Sequence, residues 1–264
     1  MKFSALVTAL TLALLAAAQP AGAVTREEST IQNAMVVLRE LQSMPDMQIP
    51  DLLLSRAEGI VVLPANVKAA FGLGARGGSG VLLVRNADRG WSHPVFVGTG
   101  ALSFGFQAGA QVADIVLVLT TRRSIEGITD GKLTLGADAS VAAGPVGRTA
   151  MASTSLTFDS EVYAYSRSKG LFAGVSFEGN GIFINRKGNR RFYDGEGSAT
   201  AILALRGSPP APANELVTEI TRLTSSAGER VAAQEAEPAA TASERPVEPK
   251  TYPLPDQESR PEPR

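Results

Sequence analysis

Residues 132–148 read Lys-Leu-Thr-Leu-Gly-Ala-Asp-Ala-Ser-Val-Ala-Ala-Gly-Pro-Val-Gly-Arg, a small, apolar, glycine-punctuated stretch with one acidic side chain, Asp138, near its centre. Apolar and polar positions alternate with a period of two, which predicts a half-buried strand that ends in a turn at Gly144-Pro145. Such small side chains let another backbone or sheet approach closely. Two interpretations follow: a tightly packed β core, or a binding surface built around Asp138 and Arg148. One predicted face carries Leu133, Leu135, Ala137, Ala139 and Val141, and the other carries Thr134, Gly136, Asp138 and Ser140.

The composition is that of an ordinary globular protein. The 264 residues leave room for one domain of usual size, and 44% of them are hydrophobic while 19% are charged. The formal net charge of −1 gives no overall attraction to nucleic acid or membranes, so any electrostatic role must come from local patches. The chain has no cysteine and a single histidine, His93, which excludes disulfides, cysteine nucleophiles and histidine-cluster metal sites. We therefore expect neither a metal nor a cofactor.

The first 23 residues have the pattern of a secretory signal peptide. Lys2 supplies a short positive region, residues 3–18 form an apolar run, and residues 21–23 are a small-residue cleavage pattern. The apolar run of about 16 residues is shorter than the roughly 20 that a membrane-spanning helix needs, with an uncleaved anchor as the alternative. We expect an exported, soluble mature protein, periplasmic if the source is a two-membrane bacterium.

Two helices are predicted after the cleavage site. Thr25 and Glu28 fit a capping box, and apolar residues at helical spacing continue towards Pro45, which predicts an amphipathic helix of about 18 residues. This helix packs on the domain or, alternatively, lies on a membrane surface. A second, short helix is expected over 50–57, with a proline in its first turn.

From residue 58 the sequence has short apolar runs at regular spacing, which indicates strands. Together with the helices they predict an α+β fold: a β-rich domain with a strongly bent antiparallel sheet or barrel and flanking N- and C-terminal helices. A turn is expected at 76–78 and a helical turn at 124–127. The strands predicted besides 132–148 are 59–64, 67–75, 79–85, 91–105, 108–121, 162–166, 171–177 and 181–185.

The C-terminal part predicts helices followed by a tail. A helix is expected within 192–205, and apolar spacing over 216–223 indicates another amphipathic helix. Residues 225–264 are rich in Pro, Glu, Ala and Ser, which predicts a disordered Pro/Glu-rich tail that acts as a bare spacer or binds a partner. The predicted organisation is a signal peptide at 1–23, one domain at 24–224 and this tail.

Two features that resemble catalytic motifs lack the required context. Residues 72–77 match G-x-G-x-x-G, but a strand follows the glycines where a dinucleotide site needs a helix N-terminus. His93 would serve a hydrolase as general base toward a serine, yet no motif supplies its acidic partner, and a loop histidine beside Pro94 is the simpler interpretation. We expect no catalytic residues.

Basic residues cluster in the predicted turns. If several of these turns share one end of the sheet, they form a positive face for anionic lipid headgroups, each charge contributing roughly 1 kcal/mol. Ordinary solvated loop charge is the alternative. The candidate lipid-binding residues are Arg76, Arg148, Arg167 and Lys169.

With these residues assembled, the chain resembles the SYLF family, also called the Ysc84-like or DUF500 domain. The similarity runs in order through most of residues 30–206, and His93 falls at a position that the motif does not demand. The matching pieces are 57–64, 71–74, 77–80, 91–92 with Pro94, Ser103 with Gly105, 109–114, 135–140, 143–148 and 163–172.

The resemblance implies lipid binding on a compact β-rich α+β fold, without assigned catalytic residues. Eukaryotic relatives are associated with phosphoinositide membranes and some fungal members with actin, whereas exported bacterial members look like phospholipid-binding proteins of the envelope. We therefore expect a non-enzymatic protein of the bacterial cell envelope that binds an anionic phospholipid membrane surface and no nucleic acid. The alternatives are an envelope protein–protein interaction module, which uses the proline-rich tail or a sheet edge, and a hydrolase that uses His93.

Overall fold

A computed structural model describes residues 24–44, 48–146, 159–168 and 180–236 of the chain. Within these ranges, no helix combines the length and the apolar character needed to cross a bilayer. The helices are α1 (Arg26–Ser43), α2 (Asp51–Arg56), α3 (Arg122–Thr129), α4 (Arg186–Phe192), α5 (Ala199–Leu203) and α6 (Ala211–Ala236). The strands are β1 (Gly59–Val84), β2 (Val95–Leu119), β3 (Lys132–Thr134), β4 (Val141–Ala143), β5 (Val162–Ser168) and β6 (Gly181–Ile184).

The sheet is built on a long ribbon made of β1 and β2. These strands pair antiparallel from Gly59↔Leu119 to Leu82↔Val95. Strand β2 also pairs with β5 and β6, and β3 pairs with β6, all antiparallel, whereas β4 pairs with β5 in parallel. The predicted α+β class with a strongly bent sheet is confirmed, and the sheet is mixed because of this one parallel pair.

The ribbon doubles back on itself. Arg85 N donates a 2.8 Å hydrogen bond to Glu58 O, so the two ends of β1 lie side by side. Further along, a β carbon on Gly80 would lie 2.0 Å from Val62 O. Only glycine, which has no β carbon, avoids this clash. The pairing register shifts between Leu63 and Asn66 and between Phe71 and Leu73, as expected where bulges bend a strand.

Two apolar cores lie on the two faces of this folded ribbon. The runs 60–63, 81–84 and 115–119 are buried along their whole length, because alternate side chains enter different cores. The first core lies between the sheet and helices α1, α2 and α6. The second core lies inside the curl of the sheet, against α3.

Helices α1 and α2 begin where the sequence predicts. Thr25 Oγ1 accepts a hydrogen bond from Glu28 N, and Glu28 Oε2 accepts one from Thr25 N, so the predicted capping box is present. The apolar face of α1 belongs to the first core, which favours the helix packed on the domain over the membrane-surface helix. Pro45 lies outside the described residues, and Pro50 precedes α2 as its N-cap.

The turn predicted at 76–78 is wrong, and two strands predicted separately are one. Residues 76–78 continue β1, with Gly77 paired to Gly100 and Gly78 to Thr99, and 91–105 and 108–121 contribute to one strand, β2. The glycines serve packing here: a β carbon on Gly78 would lie 2.6 Å from Asn66 Nδ2 and 3.2 Å from Asn66 Cα. Local sequence cannot separate a glycine that turns from one that lets a second segment approach.

The stretch 132–148 is not one strand. Only β3 and β4 are extended, and between them Gly136 adopts a φ of 85° while Asp138 Oδ2 accepts a 2.6 Å hydrogen bond from Thr134 N. Leu133, Leu135 and Ala139 are nevertheless buried in the second core. Asp138 therefore stabilises a turn, and the packed-core interpretation is the one that the described part supports.

The C-terminal part contains one helix more than predicted. The helix expected within 192–205 is present as the shorter α5. A further helix, α4, precedes it and carries the basic residues of 186–191, which were expected in a loop. Asn185 Oδ1 accepts a 3.0 Å hydrogen bond from Gly188 N and caps α4, a signal that a scan for apolar spacing does not detect.

Helix α6 extends beyond the predicted start of the tail. Ala227 is fully buried in the first core, and Arg230 Nε and Nη2 each lie 2.6 Å from an Asp51 carboxylate oxygen. The prediction of a tail from residue 225 is therefore wrong for 225–236. Residues 237–264, the signal peptide at 1–23 and the strand predicted at 171–177 lie outside the described residues.

Candidate functional site

An ion-pair network joins three elements beside the fold in the ribbon. Asp114 on β2 and Arg167 on β5 are register partners, and Arg167 Nη2 donates to Asp114 Oδ2 at 3.0 Å. The same Nη2 also donates to Glu40 near the end of α1. Burial alone would lower the pKa of Arg167, but its hydrogen bonds to both carboxylates outweigh that effect and raise the pKa above its ordinary value.

The other oxygen of Asp114 holds a bulge in β1. Asp114 Oδ1 accepts a 2.9 Å hydrogen bond from Ala65 N, and Ala65 has a φ of 50°, uncommon for a residue with a side chain. One carboxylate therefore joins the bulge to Arg167, and Arg167 joins both to α1. The sequence motif contained Asp114 and Arg167, but no spacing rule relates an aspartate to an arginine 53 residues away.

A cleft lies between α1 and this bulge. Its volume is about 430 Å³, within the range of roughly 300–1,000 Å³ that is typical of small-molecule sites. Residues 26, 30 and 33 line one side at i, i+4 and i+7 spacing, so they share one face of α1. The lining residues are Arg26, Thr30, Asn33, Pro64, Ala65, Val67, Gly77, Gly78 and Ser79.

Beyond the cleft the ribbon turns back at a segment that we call the ribbon bend, residues 69–73 of β1 with 102–110 of β2. The two halves of β1 touch as far as Asn66 and Gly78, so the residues between them make the return. Pairing places Phe71 opposite Ala108 and Leu73 opposite Phe104. The sequence of the bend is apolar and glycine-rich: Ala-Ala-Phe-Gly-Leu and Leu-Ser-Phe-Gly-Phe-Gln-Ala-Gly-Ala.

Two cationic residues and two exposed valines flank the ribbon bend. Lys68 and Arg76 lie on β1 on either side of it, and Val67 and Val112, which are register partners, are 45% and 37% exposed. Desolvation lowers the pKa of Arg76, which is half-buried. Residues 67–84 and 95–113 contain no Asp or Glu, so this part of the ribbon has a positive charge.

The structure describes two of the four predicted lipid-binding residues. Arg76 flanks the ribbon bend, and Arg167 lies in the ion-pair network behind the cleft wall. Arg148 and Lys169 lie outside the described residues. The lining residues Arg26, Thr30, Asn33 and Ser79 are not among the predicted binding residues, although the first three follow helical spacing on the polar face of α1.

The contacts of His93 are those of a buried loop residue. Its Nε2 lies 3.0 Å from Gly207 O, and its ring stacks on Tyr193. The neighbouring Ser92 hydroxyl donates to His93 O and accepts from Val84 N, so it is not directed at the imidazole. Within the described ranges, no three His, Asp or Glu side chains approach closely enough to hold a metal ion.

Comparison with known proteins identifies the family. The family model described as Ysc84, Las17-binding protein actin regulator, matches residues 100–223. "SH3 domain-containing YSC84-like protein 1" is 35% identical over 241 residues in Pongo abelii and 36% over 215 in Mus musculus, which covers 86% and 77% of this chain and 70% and 62% of the relatives. "LAS seventeen-binding protein 3" of Saccharomyces cerevisiae is 39% identical over 174 residues, 65% of this chain and 38% of that protein.

These relatives are longer proteins, and the chain spans between 38% and 70% of their length. The similarity extends on the N-terminal side of the matched family region, because 86% of the chain aligns with the Pongo abelii protein. The resemblance deduced from the sequence motifs is confirmed, and the chain belongs to the Ysc84-like (SYLF) family.

Proposed function

We propose that this protein binds anionic phospholipid membranes without catalysing a reaction, as an exported, peripherally attached protein of the bacterial cell envelope. The observation that carries the proposal is the ribbon bend: an apolar, glycine-rich segment flanked by Lys68 and Arg76, with no carboxylate residue in 67–84 or 95–113. Apolar contact with the acyl region and cationic contact with headgroups are the two attractions that peripheral membrane proteins combine.

The exposed valines extend the apolar contact toward the body of the protein. Val67 and Val112 form a cross-strand pair next to the ribbon bend. Both valines are exposed, whereas residues 60–63 and 115–119 of the same two strands are buried in the cores. Burial of apolar area contributes roughly 25 cal/mol per Å², so even this pair adds measurably to membrane affinity. The bend and the pair together form one continuous stretch of the ribbon.

The charges of the proposed surface come from Lys68 and Arg76. Each contributes roughly 1 kcal/mol near an anionic membrane, and this contribution is screened by salt. Arg167 already bonds two carboxylates, so its part in the proposal is to hold α1 and the bulge in place beside the surface. Headgroup contact by Arg148 and Lys169 stays a prediction from the sequence.

Vesicle co-sedimentation of the purified protein tests the proposal. We expect binding to phosphatidylglycerol or cardiolipin vesicles at low salt, weaker binding as salt rises, and little binding to phosphatidylcholine vesicles. Absence of binding to both anionic vesicles at low salt would overturn the proposal. Mass spectrometry of the protein from a periplasmic extract tests export, which predicts a chain that starts at Val24.

A protein partner is the second candidate function. The names of the yeast relative and of the family model refer to binding of Las17, which is a protein ligand of those proteins. We propose the proline-rich segment beyond residue 236 or the exposed edge of the sheet as the contact in this chain. Loss of a co-purifying envelope protein when 237–264 are removed, with vesicle binding unchanged, would favour this function.

A further inference from the structure

We infer that the cleft between α1 and the β1 bulge binds a phosphate ester of a small polyol, the chemistry of a phosphoglycerol headgroup. The inference rests on the proposed function and assigns it a headgroup site. The cleft adjoins the ribbon bend, because Val67 and Gly77, which lie on either side of the return, both line it. A ribbon bend in contact with a bilayer would therefore bring the cleft to the headgroup level.

The charge of the cleft favours an anion. Arg26 is the only charged residue of its lining, and among the described residues no carboxylate forms an ion pair with its guanidinium. The acidic groups that neighbour lining residues in sequence or by a hydrogen bond already have partners: Glu27 accepts from Arg191, Glu28 accepts from Thr25 N, and Asp114 accepts from Ala65 and Arg167. A guanidinium that faces a cleft without competing carboxylates is suited to a phosphate oxygen.

The neutral side chains of the cleft supply both donors and acceptors. Thr30 Oγ1 donates to Arg26 O, so its lone pairs are free to accept a hydrogen bond from a ligand hydroxyl. Asn33 can donate and accept through its amide, and the Ser79 hydroxyl lies on the opposite wall. This mixture fits a ligand that has hydroxyl groups as well as an anionic group, and it does not fit an acyl chain.

A buried amide behind the cleft wall lacks a partner. Asn66 is 3% exposed, and its Nδ2 makes no hydrogen bond within the described structure. This atom lies against Gly78, on the wall opposite α1. An unpaired buried donor costs about 1–3 kcal/mol. Asn66 is not itself a lining residue, so this donor marks a missing polar contact in the wall and not a direct contact with a ligand.

The test uses the whole chain labelled with ¹⁵N and three soluble probes: sn-glycerol 1-phosphate, inorganic phosphate and glycerol. We expect glycerol phosphate to shift the amide signals of Thr30, Asn33 and Ser79 and to bind more tightly than inorganic phosphate, with no shift from glycerol. Equal affinity for the two phosphates would overturn the polyol assignment. Absence of shifts at these residues would overturn the cleft as the site.

Two pairs of variants separate the cleft from the membrane surface. Arg26→Gln should weaken glycerol phosphate and phosphatidylglycerol vesicle binding about fivefold, while Arg123→Gln, which removes a charge from the first turn of α3, should change neither. Asn33→Trp fills the cleft from an exposed helix position without a change in charge, and it should also abolish glycerol phosphate binding. Its control is Gln32→Trp, at an exposed position of α1 outside the cleft lining, which should leave glycerol phosphate binding unchanged. Circular dichroism confirms that each variant is folded.

The outcomes distinguish failure of the inference from failure of the proposed function. Equal vesicle binding by wild type and Arg26→Gln would overturn the cleft as the headgroup site while membrane binding stands. Glycerol phosphate binding in the cleft without any vesicle binding would support the site for a free phosphate ester and overturn the lipid function. Absence of both would overturn both.

Discussion

Asp114 and Arg167 face each other on the neighbouring strands β2 and β5, and a 3.0 Å hydrogen bond joins Asp114 Oδ2 to Arg167 Nη2. Because the other oxygen of Asp114 accepts from Ala65 N, this carboxylate connects the sheet to the bulge that walls the cleft. Arg167 extends the connection to Glu40 and so to α1. The cleft therefore has its two sides held together by one arginine and two carboxylates.

The two carboxylates should differ in their contribution to stability. Asp114→Ala leaves the Ala65 N–H without its acceptor and removes one carboxylate from Arg167, so we expect a loss of about 2–3 kcal/mol in the free energy of unfolding. The Glu40 side chain is 44% exposed, and Glu40→Ala should cost less than about 1 kcal/mol. Urea denaturation measures both, and equal losses would contradict the central role of Asp114.

The doubled-back ribbon makes Gly80 intolerant of a side chain. A β carbon there would lie 2.0 Å from Val62 O and 2.9 Å from Leu63 Cα, both backbone atoms, so Gly80→Ala should destabilise the protein by about 3 kcal/mol or more. Gly228 in α6 has open space around its β position, and Gly228→Ala should stabilise by about 0.5–1 kcal/mol. Thermal unfolding that showed a harmless Gly80→Ala would contradict the folded ribbon.

The turn at Asp138 should respond to acid. Its backbone hydrogen bond from Thr134, and then a bond from the Thr134 side chain, lower the pKa of Asp138 below its ordinary value of 3.8. A carboxyl group with a depressed folded-state pKa stabilises the fold above its unfolded pKa, and this contribution is lost as pH falls through the folded pKa. A ¹³C NMR titration of the carboxyl should therefore give a midpoint below 3.8, and a midpoint at or above 3.8 would refute the bond.

Membrane binding should depend on the cations at the ribbon bend. Lys68→Gln and Arg76→Gln should each weaken binding to phosphatidylglycerol vesicles about fivefold and reduce its salt dependence, because each removes roughly 1 kcal/mol of attraction. Arg123→Gln, on α3, is the matched control and should bind like wild type. Unchanged binding by the variant that combines Lys68→Gln with Arg76→Gln would place the membrane surface elsewhere.

The end of α6 should matter for stability, while the segment beyond it should not. Removal of 237–264 should leave the free energy of unfolding unchanged. Removal of 225–264 also deletes the buried Ala227 and the ion pair of Arg230 with Asp51, and should cost about 1–2 kcal/mol. Equal stability of the two truncated chains would show that α6 ends its contribution before residue 225.

Predictions that rest on local signals succeed in this protein. The Thr25–Glu28 capping box marks the start of α1, and the runs 60–63 and 115–119 are buried strands as expected. The family motifs likewise identify the chain correctly. These features depend on residues that are neighbours in sequence, so a short window contains all the information.

Predictions of the site succeed less well. Arg76 and Arg167 were chosen as loop cations, yet both lie within strands, and Arg167 is bound by carboxylates from α1 and β2. Nothing in the sequence pairs Glu40 with Arg167, because an ion pair between distant residues depends on how the elements pack. The same holds for the cleft, whose sides come from residues 26–33 and 64–79.

The α+β class, the capped N-terminal helix, the buried runs of the sheet and the family follow from the amino-acid sequence. The continuation of a strand through residues 76–78, the turn within 132–148 and the cleft beside Asp114 and Arg167 emerge only from the folded chain. One cause explains all three. Gly78, Gly80 and Asp138 acquire their roles from backbone atoms brought near by the return of the ribbon or the closure of a turn, contacts that no periodicity of side chains encodes.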